Sequence, residues 1–234
     1  MGLKLNLNYE VMTSLYLSVN SDFMFLVMIG PPGAGKGTQA KRLAETLGLS
    51  HVSTGEIFRQ NISRKTELGL RVKELLEDGT LVPDDLTIEL VQDKIDQLVN
   101  GSGAIFDGFP RNLEQAKALD DMLLLHDKGV DLAPLINLSD SNIIERLTGR
   151  RTDKDTGKIY HLIYDPPPDN ANVEQRSDDK RDTVLRRIED YHQSTVPMLA
   201  YYDDRDLLCE IDGDNTIDQV TTALLEVIRG RVFA

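Results

Sequence analysis

The chain has 234 residues and a formal net charge of −13, so it repels nucleic acid and anionic membranes, and neither is expected as a partner. Its 40% hydrophobic and 28% charged content is that of a globular chain able to bury a substantial core. The single cysteine, Cys209, excludes an intrachain disulfide and a cysteine zinc site, and no apolar run is long enough to cross a bilayer.

Residues 1–22 mix Leu, Asn, Ser and Tyr with one lysine and no arginine. A secretory signal needs a basic start and a compact apolar centre, and a transit peptide needs arginine, so neither pattern fits. Residues 1–23 are expected to be an extension ahead of a single domain, residues 24–234. A chain starting at Met24 is expected to fold and act. The expected location is cytoplasmic, with organellar import through residues 1–22 left open.

The uncharged run Phe23 to Ile29 reads as a buried parallel strand. It ends in Gly30-Pro31-Pro32-Gly33-Ala34-Gly35-Lys36-Gly37-Thr38, and a helical pattern follows through Ala40, Leu43, Ala44 and Leu47. Strand, glycine loop and helix are the context of a phosphate-binding loop. Glycines let successive N–H groups curl round an anion, and the helix N-terminus adds about half a positive charge. Lys36 supplies a mobile charge for the outer phosphates, and Thr38 a hydroxyl for a phosphate or a metal. Gly37 separates Lys36 from Thr38, which leans toward the small-molecule kinase form of the loop.

Ser50 to Gly55 reads as a short strand ending in a polar turn, followed by a helix through Ile57, Phe58 and Arg59. The segment to Thr80 is helical and poor in large apolar residues, so it reads as a small lobe. Pro83-Asp84-Asp85 starts a helix carrying Leu86, Leu90, Ile95 and Leu98, its acids suiting the positive end. Gly103 to Asp107 reads as a second core strand, stopped by Pro110, with Asn112 as cap of the next helix. Ala133 to Leu138 reads as a third strand, and Ser139-Asp140 as the cap of the helix carrying Ile143, Ile144 and Leu147. Residues 150–180 hold little apolar content and a turn signal, Asp153 to Lys158, between two β-like pieces. A regular helix over Thr183 to Tyr202, a strand over Leu207 to Ile211 and a helix over Ile217 to Ile228 close the chain. Strands alternating with helices imply an α/β fold: a three-layer, doubly wound parallel sheet with helices on both faces.

Asp107, at the end of its strand, is placed to hold hydrated Mg²⁺ near the outer phosphates. Arg59, Arg111, Arg146, Arg150, Arg151, Arg176 and Arg187 sit at strand ends or at the base of the excursion, where a doubly wound fold binds ligands. Phosphoryl transfer needs such a provision, because charge spreads over three oxygens and the protein positions and stabilises it. His51, His126, His161 and His192 lack metal-ligand spacing and read as structural, Cys209 as buried filler and Tyr201-Tyr202 as core.

The glycine loop, Ser53-Thr54-Gly55, Asp107-Gly108-Phe109-Pro110-Arg111, Gly149-Arg150-Arg151, Arg176-Ser177-Asp178-Asp179 and Tyr191 to Pro197 together resemble the adenylate kinase family, from about Met24 to the C-terminus. The resemblance implies Mg²⁺-dependent, reversible transfer of the ATP γ-phosphoryl group to AMP, giving two ADP, by a monomer. It implies a core of residues 24–53, 83–149 and 181–234, a helical lobe for the nucleoside monophosphate over 54–82 and a β-rich lid over 150–180. It places Gly33, Ala34, Gly35, Lys36, Gly37, Thr38, Arg146, Arg150, Ile159, Tyr160 and Asn215 at ATP. It places Thr54, Arg59, Thr80, Leu81, Val82, Gly108, Phe109, Pro110, Arg111, Gln115, Arg176 and Arg187 at AMP. Lys36, Arg111, Arg150, Arg176 and Arg187 would act on the transferred group, Asp178 and Asp179 would orient the arginines, and Asp107 with Thr38 would serve the metal. The sequence departs from the long-lid bacterial form in a shorter stretch between Pro168 and Arg176 and in Glu56, where Asp is frequent. It lacks the lid cysteines that hold zinc in some members, so no zinc is expected. A UMP/CMP-type kinase and a catalytically silent nucleotide-binding module are the alternatives. Pyrimidine-acting relatives tend to carry Ala where Thr54 stands and almost no lid, and a silent module would show gaps in the arginine set.

Overall fold

The computed structural model describes residues 24–78, 80–98 and 103–232. The reading of residues 1–22 lies outside these. Strand β1, Met24–Met28, is buried throughout and sits at the centre of a parallel sheet. Strand β3, Gly103–Asp107, pairs with it in the register Met24 to Gly103 through Met28 to Asp107. On the far side of β3 lies β2, Ser50–Ser53, with Ser53 opposite Asp107. On the other flank β1 meets β4, Ala133–Asn137, through Ile29 N donating to Pro134 O at 2.8 Å and Ile136 N donating to Ile29 O at 2.9 Å. The outermost strand, β8 (Leu208–Asp212), pairs parallel with β4. The order is therefore β2-β3-β1-β4-β8, the parallel sheet expected from the sequence.

The two-residue period of a strand sends alternate side chains to opposite faces. Phe25, Val27 and Ile29 enter one apolar cluster with residues of helices α4 (Asp84–Leu98), α5 (Leu113–Leu124) and α8 (Val196–Asp203), among them Ile95, Leu119 and Tyr202. Met24, Leu26 and Met28 enter another with Leu43 of α1 (Lys36–Leu47) and Leu224 of α9 (Ile217–Val232). Burial on both faces explains why β1 reads as an unbroken apolar run.

Two small units leave this core. Helices α2 (Thr54–Ser63) and α3 (Glu67–Asp78) form a lobe with its own cluster of Phe58, Val72 and Val82. Gly69 allows their close approach: a Cβ there would stand 2.2 Å from Asn61 O. After α6, Asp140–Gly149, the chain enters an antiparallel lid of β5 (Arg150–Asp153), β6 (Ile159–His161) and β7 (Val173–Glu174), ordered β6-β5-β7. The expected turn is held by Asp153 Oδ1, which accepts from Asp155 N at 2.9 Å and Thr156 N at 2.8 Å. Helix α7, Arg181–Asp190, returns to the core.

Several local expectations hold and some are corrected. Asn112 caps α5, and Ser139 caps α6. Thr54 and Gly55 do not continue a turn after β2. They open α2, because Ser53 Oγ accepts from Glu56 N and caps it one residue earlier. The helix expected over Thr183 to Tyr202 is interrupted by a π-turn at Tyr191–Thr195, where Val196 N donates to Tyr191 O. Pro197 has no N–H to continue the regular ladder, and the wider turn absorbs the mismatch. The last helix runs to Val232. Tyr202 is core, whereas Tyr201 is half-buried with its hydroxyl donated to Asp120; Cys209 is half-buried rather than fully enclosed. Among the described residues no helix is long and apolar enough to cross a membrane.

Candidate active site

The glycine loop joins β1 to α1 at the C-terminal edge of the sheet. Gly33 (φ 81°) and Gly35 (φ 93°) adopt left-handed backbone that only glycine takes without strain. Gly35 is also the N-cap of α1, with no side chain bonded to the helix's first N–H groups, so these are offered to an anion. Lys36 folds over the loop, Nζ donating to Gly30 O at 2.7 Å and Pro31 O at 2.8 Å. Burial lowers its ammonium to about 8, Asp107 pulling the other way.

Asp107 lies against the loop: a Cβ at Gly37 would stand 3.2 Å from its Oδ2. That oxygen accepts from Ser53 Oγ at 3.1 Å and has His51 Nε2 at 3.5 Å, a polar contact longer than a full hydrogen bond. Burial pushes the carboxyl up, but His51, Lys36 and Ser53 outweigh it and hold it below the usual carboxylate range. A single ionised carboxylate beside a phosphate loop and the Thr38 hydroxyl fits Mg²⁺, which keeps much of its water.

Arginines gather across the cleft. Arg150 grips the fully buried Asp179 with both ends of its fork, Nε at 2.8 Å from Oδ2 and Nη2 at 2.5 Å from Oδ1. Arg187 Nη1 lies 2.8 Å from Asp178 Oδ2 and 3.7 Å from Asp179 Oδ1. Arg176, at the foot of β7, donates Nε to Thr152 Oγ1 at 3.0 Å, and burial with Arg150 and Arg59 nearby pushes it down to about 9. Arg111 donates Nε to Gly108 O at 2.9 Å; burial, then Arg187, lowers it to about 10. Burial also lowers Arg59, on the small lobe, with Asp178 opposing. Lys36, Arg111 and Arg187 line one cleft with Gly108, Asp190 and Thr195. Around it Lys36 and five arginines face Asp107, Asp178, Asp179 and Asp190, a concentration of positive groups in a chain whose net charge is −13. Helix α3 packs against the 177–179 turn, so lobe and lid base meet over the site.

The other expected residues divide. Thr54 Oγ1 donates to Gly108 O at 2.9 Å, and Gln115 Oε1 accepts from Arg111 N at 2.8 Å, tying both to the Arg111 turn. Leu81 lines the cleft, Val82 is buried in the lobe's core, and Thr80 is exposed. Phe109 and Pro110 are buried beside Gly108. Arg146 Nη2 donates to Gly213 O at 2.8 Å, bringing α6 to the turn that carries the exposed Asn215. Ile159 and Tyr160 are on β6, the first exposed and the second buried with the Lys158 ammonium 4.4 Å from its ring centre.

Three contributors escaped the sequence reading. His51, read as structural, borders Asp107. Thr195, on the π-turn, donates Oγ1 to Arg111 O at 2.7 Å. Asp84, read as a helix-start charge, accepts from Gln115 Nε2. Strand order, the packing of α4 against α5 and the π-turn create these contacts, and no local pattern announces them.

A phosphate loop facing a guanidinium cluster across one cleft is the arrangement of a P-loop phosphotransferase. A family model described as adenylate kinase matches residues 28–207. An adenylate kinase of Clostridium novyi is 44% identical over 214 residues, covering 88% of this chain and 99% of its own. One of Fusobacterium nucleatum is 42% identical, covering 87% and 97%, and one of Acholeplasma laidlawii 40%, with the same coverage. The chain belongs to the adenylate kinase family.

Proposed function

We propose that the chain transfers the γ-phosphoryl group of ATP reversibly to AMP, giving two ADP, as a cytoplasmic monomer. The observation that carries this reading is the common cleft of Lys36, Arg111 and Arg187, which brings loop, AMP turn and lid base to one point. In this reading the N–H groups of residues 33–38 hold the donor's phosphates, and Lys36 exchanges the Gly30 and Pro31 carbonyls for the transferred group. Arg146, with Asn215, Ile159 and Tyr160, flanks the donor base. Arg59 and Arg111 hold the acceptor phosphate, while Thr54, Gln115 and the 80–82 and 108–110 segments frame its nucleoside. Arg150, Arg176 and Arg187, aimed by Asp178 and Asp179, neutralise charge on the equatorial oxygens as lid and lobe exclude water. Asp107 and the Thr38 hydroxyl would hold Mg²⁺, which would supply charge neutralisation at the outer phosphates. The acceptor is itself an anionic phosphate near neutral pH, so no side chain is needed as a strong base. No zinc belongs to this reading.

The test is ADP release with ATP and, in turn, AMP, CMP, UMP or GMP. AMP is expected to be used far better than the others. Preference for CMP or UMP would identify a pyrimidine kinase, and no turnover with any acceptor would identify a silent module.

A further inference from the structure

We infer that Asp84 is a positioning residue: it fixes which way the Gln115 carboxamide faces, and so selects adenine over a 6-oxopurine in the acceptor. The inference rests on the reading above that Gln115 faces the acceptor base. Gln115 lies in the first turn of α5 and is 2% exposed. Its Oε1 accepts from Arg111 N at 2.8 Å, and its Nε2 donates to Asp84 Oδ1. A backbone N–H can only donate and a carboxylate can only accept. A flipped amide would set N–H against N–H at one end and oxygen against oxygen at the other.

Asp84 cannot turn away. Asn112 Nδ2 donates to both its oxygens, at 2.8 and 3.1 Å. Asn112 is itself committed, because its Oδ1 caps α5 by accepting from Gln115 N at 2.9 Å. Helix cap, carboxylate and carboxamide thus form one chain in which each orientation dictates the next.

A carboxamide has two N–H groups and two acceptor lone pairs. The two internal bonds leave one of each. Adenine offers the complement, an N–H at C6 and an acceptor at N1, whereas hypoxanthine and guanine offer the reverse. A fixed amide pairs with the first and opposes the second; a free amide rotates to suit either.

The test is kcat/KM for AMP and for IMP, with ATP as donor. In Asp84→Asn a single acceptor serves the two donors Asn112 Nδ2 and Gln115 Nε2, so the amide keeps only its bond from Arg111 N and its orientation is loosened. The AMP:IMP ratio is expected to fall about tenfold there and to stay within about twofold of the parent in Asp84→Glu, which keeps an acceptor-only group. Asn112→Ser keeps a helix cap but frees Asp84, and is expected to lower the ratio about threefold; it serves if Asp84→Asn does not fold. A purely structural role would lower both nucleotides in parallel. An unchanged ratio in Asp84→Asn and Asn112→Ser, with the ratio lost in Gln115→Ala, overturns the inference and keeps the reading of Gln115. An unchanged ratio in Gln115→Ala overturns that reading, and this inference with it.

Discussion

In the sheet, Met24, Leu26 and Met28 pack into one apolar layer and Phe25, Val27 and Ile29 into the other. In the lid, residues 150–180, only Asp153, Tyr160 and Asp179 are buried, and two of the three are acids. The sheet is held by apolar area removed from water, which does not depend on what is bound. The lid's base is held by Arg150 on Asp179 and Arg187 on Asp178. Cohesion of that kind is adjustable: under the proposed function a phosphate in the cleft would compete for the same guanidinium groups and loosen the lid's base, while the apolar layers of the sheet would be untouched.

This contrast predicts a double dissociation, which is the largest expected effect. Arg111→Ala removes a guanidinium whose only side-chain bond described here is to Gly108 O, while its backbone bonds with Gln115 and Thr195 persist. Turnover is expected to fall of order 10²–10³ or more, with little change in the thermal midpoint. Leu43→Ala, in the sheet's second layer, is expected to cost about 2–5 kcal/mol of stability and to leave kcat within about twofold while the protein is folded. Coupled ADP-release kinetics and denaturant melts on both variants check this. If Arg111→Ala chiefly unfolds the protein, site and scaffold are not separable.

A smaller effect sharpens the electrostatic half. Burial pushes the Asp178 carboxyl up, but Arg187, Arg150, Arg59 and Arg176 together hold it below the usual carboxylate range. A carboxyl lowered on folding contributes stability that is complete above its unfolded value, near 4, and is lost as pH falls through the folded value. Asp178→Asn is therefore expected to lose about 2 kcal/mol at pH 7, and the gap from the parent is expected to narrow below about pH 4. Denaturant melts at pH 7 and pH 3 measure it. A gap that widens in acid would mean that burial raises the Asp178 carboxyl more than the arginines lower it.

What the sequence disclosed follows the same division. The β1 run, the glycine loop and the caps at Asn112 and Ser139 are local: each is set by periodicity or by a side chain within three residues of its partner, so each was readable. The arginines were readable as candidates, but their convergence depends on the sheet order β2-β3-β1-β4-β8, which no local pattern encodes. His51 shows the cost of that. It read as structural for lack of metal-ligand spacing, and only the parallel pairing of β2 with β3, Ser53 opposite Asp107, sets it beside the acid. The Asp84–Gln115 bond spans 31 residues and was hidden because it depends on the packing of α4 against α5. The π-turn was hidden differently: the apolar residues on either side of it keep helical spacing, so periodicity ran straight through it.

That π-turn also yields the smallest of the expected effects, at the seam between scaffold and site. The wide turn swings Thr195 inward, where it is 8% exposed and its hydroxyl donates to Arg111 O at 2.7 Å. Thr195→Val keeps the shape and removes the donor, leaving a part-buried carbonyl without that partner. About 1 kcal/mol of stability is expected to be lost. Because the carbonyl belongs to the residue that the proposed function assigns to the acceptor phosphate, kcat/KM for AMP is expected to fall by about threefold to tenfold, with KM for ATP nearly unchanged. Thr195→Ser restores the donor and is expected to recover most of both losses. Steady-state kinetics with each substrate varied, beside melts of the three proteins, separate the outcomes. Equal losses for ATP and AMP would make Thr195 part of the scaffold alone, and the boundary between rigid sheet and adjustable rim would then fall at Arg111 itself.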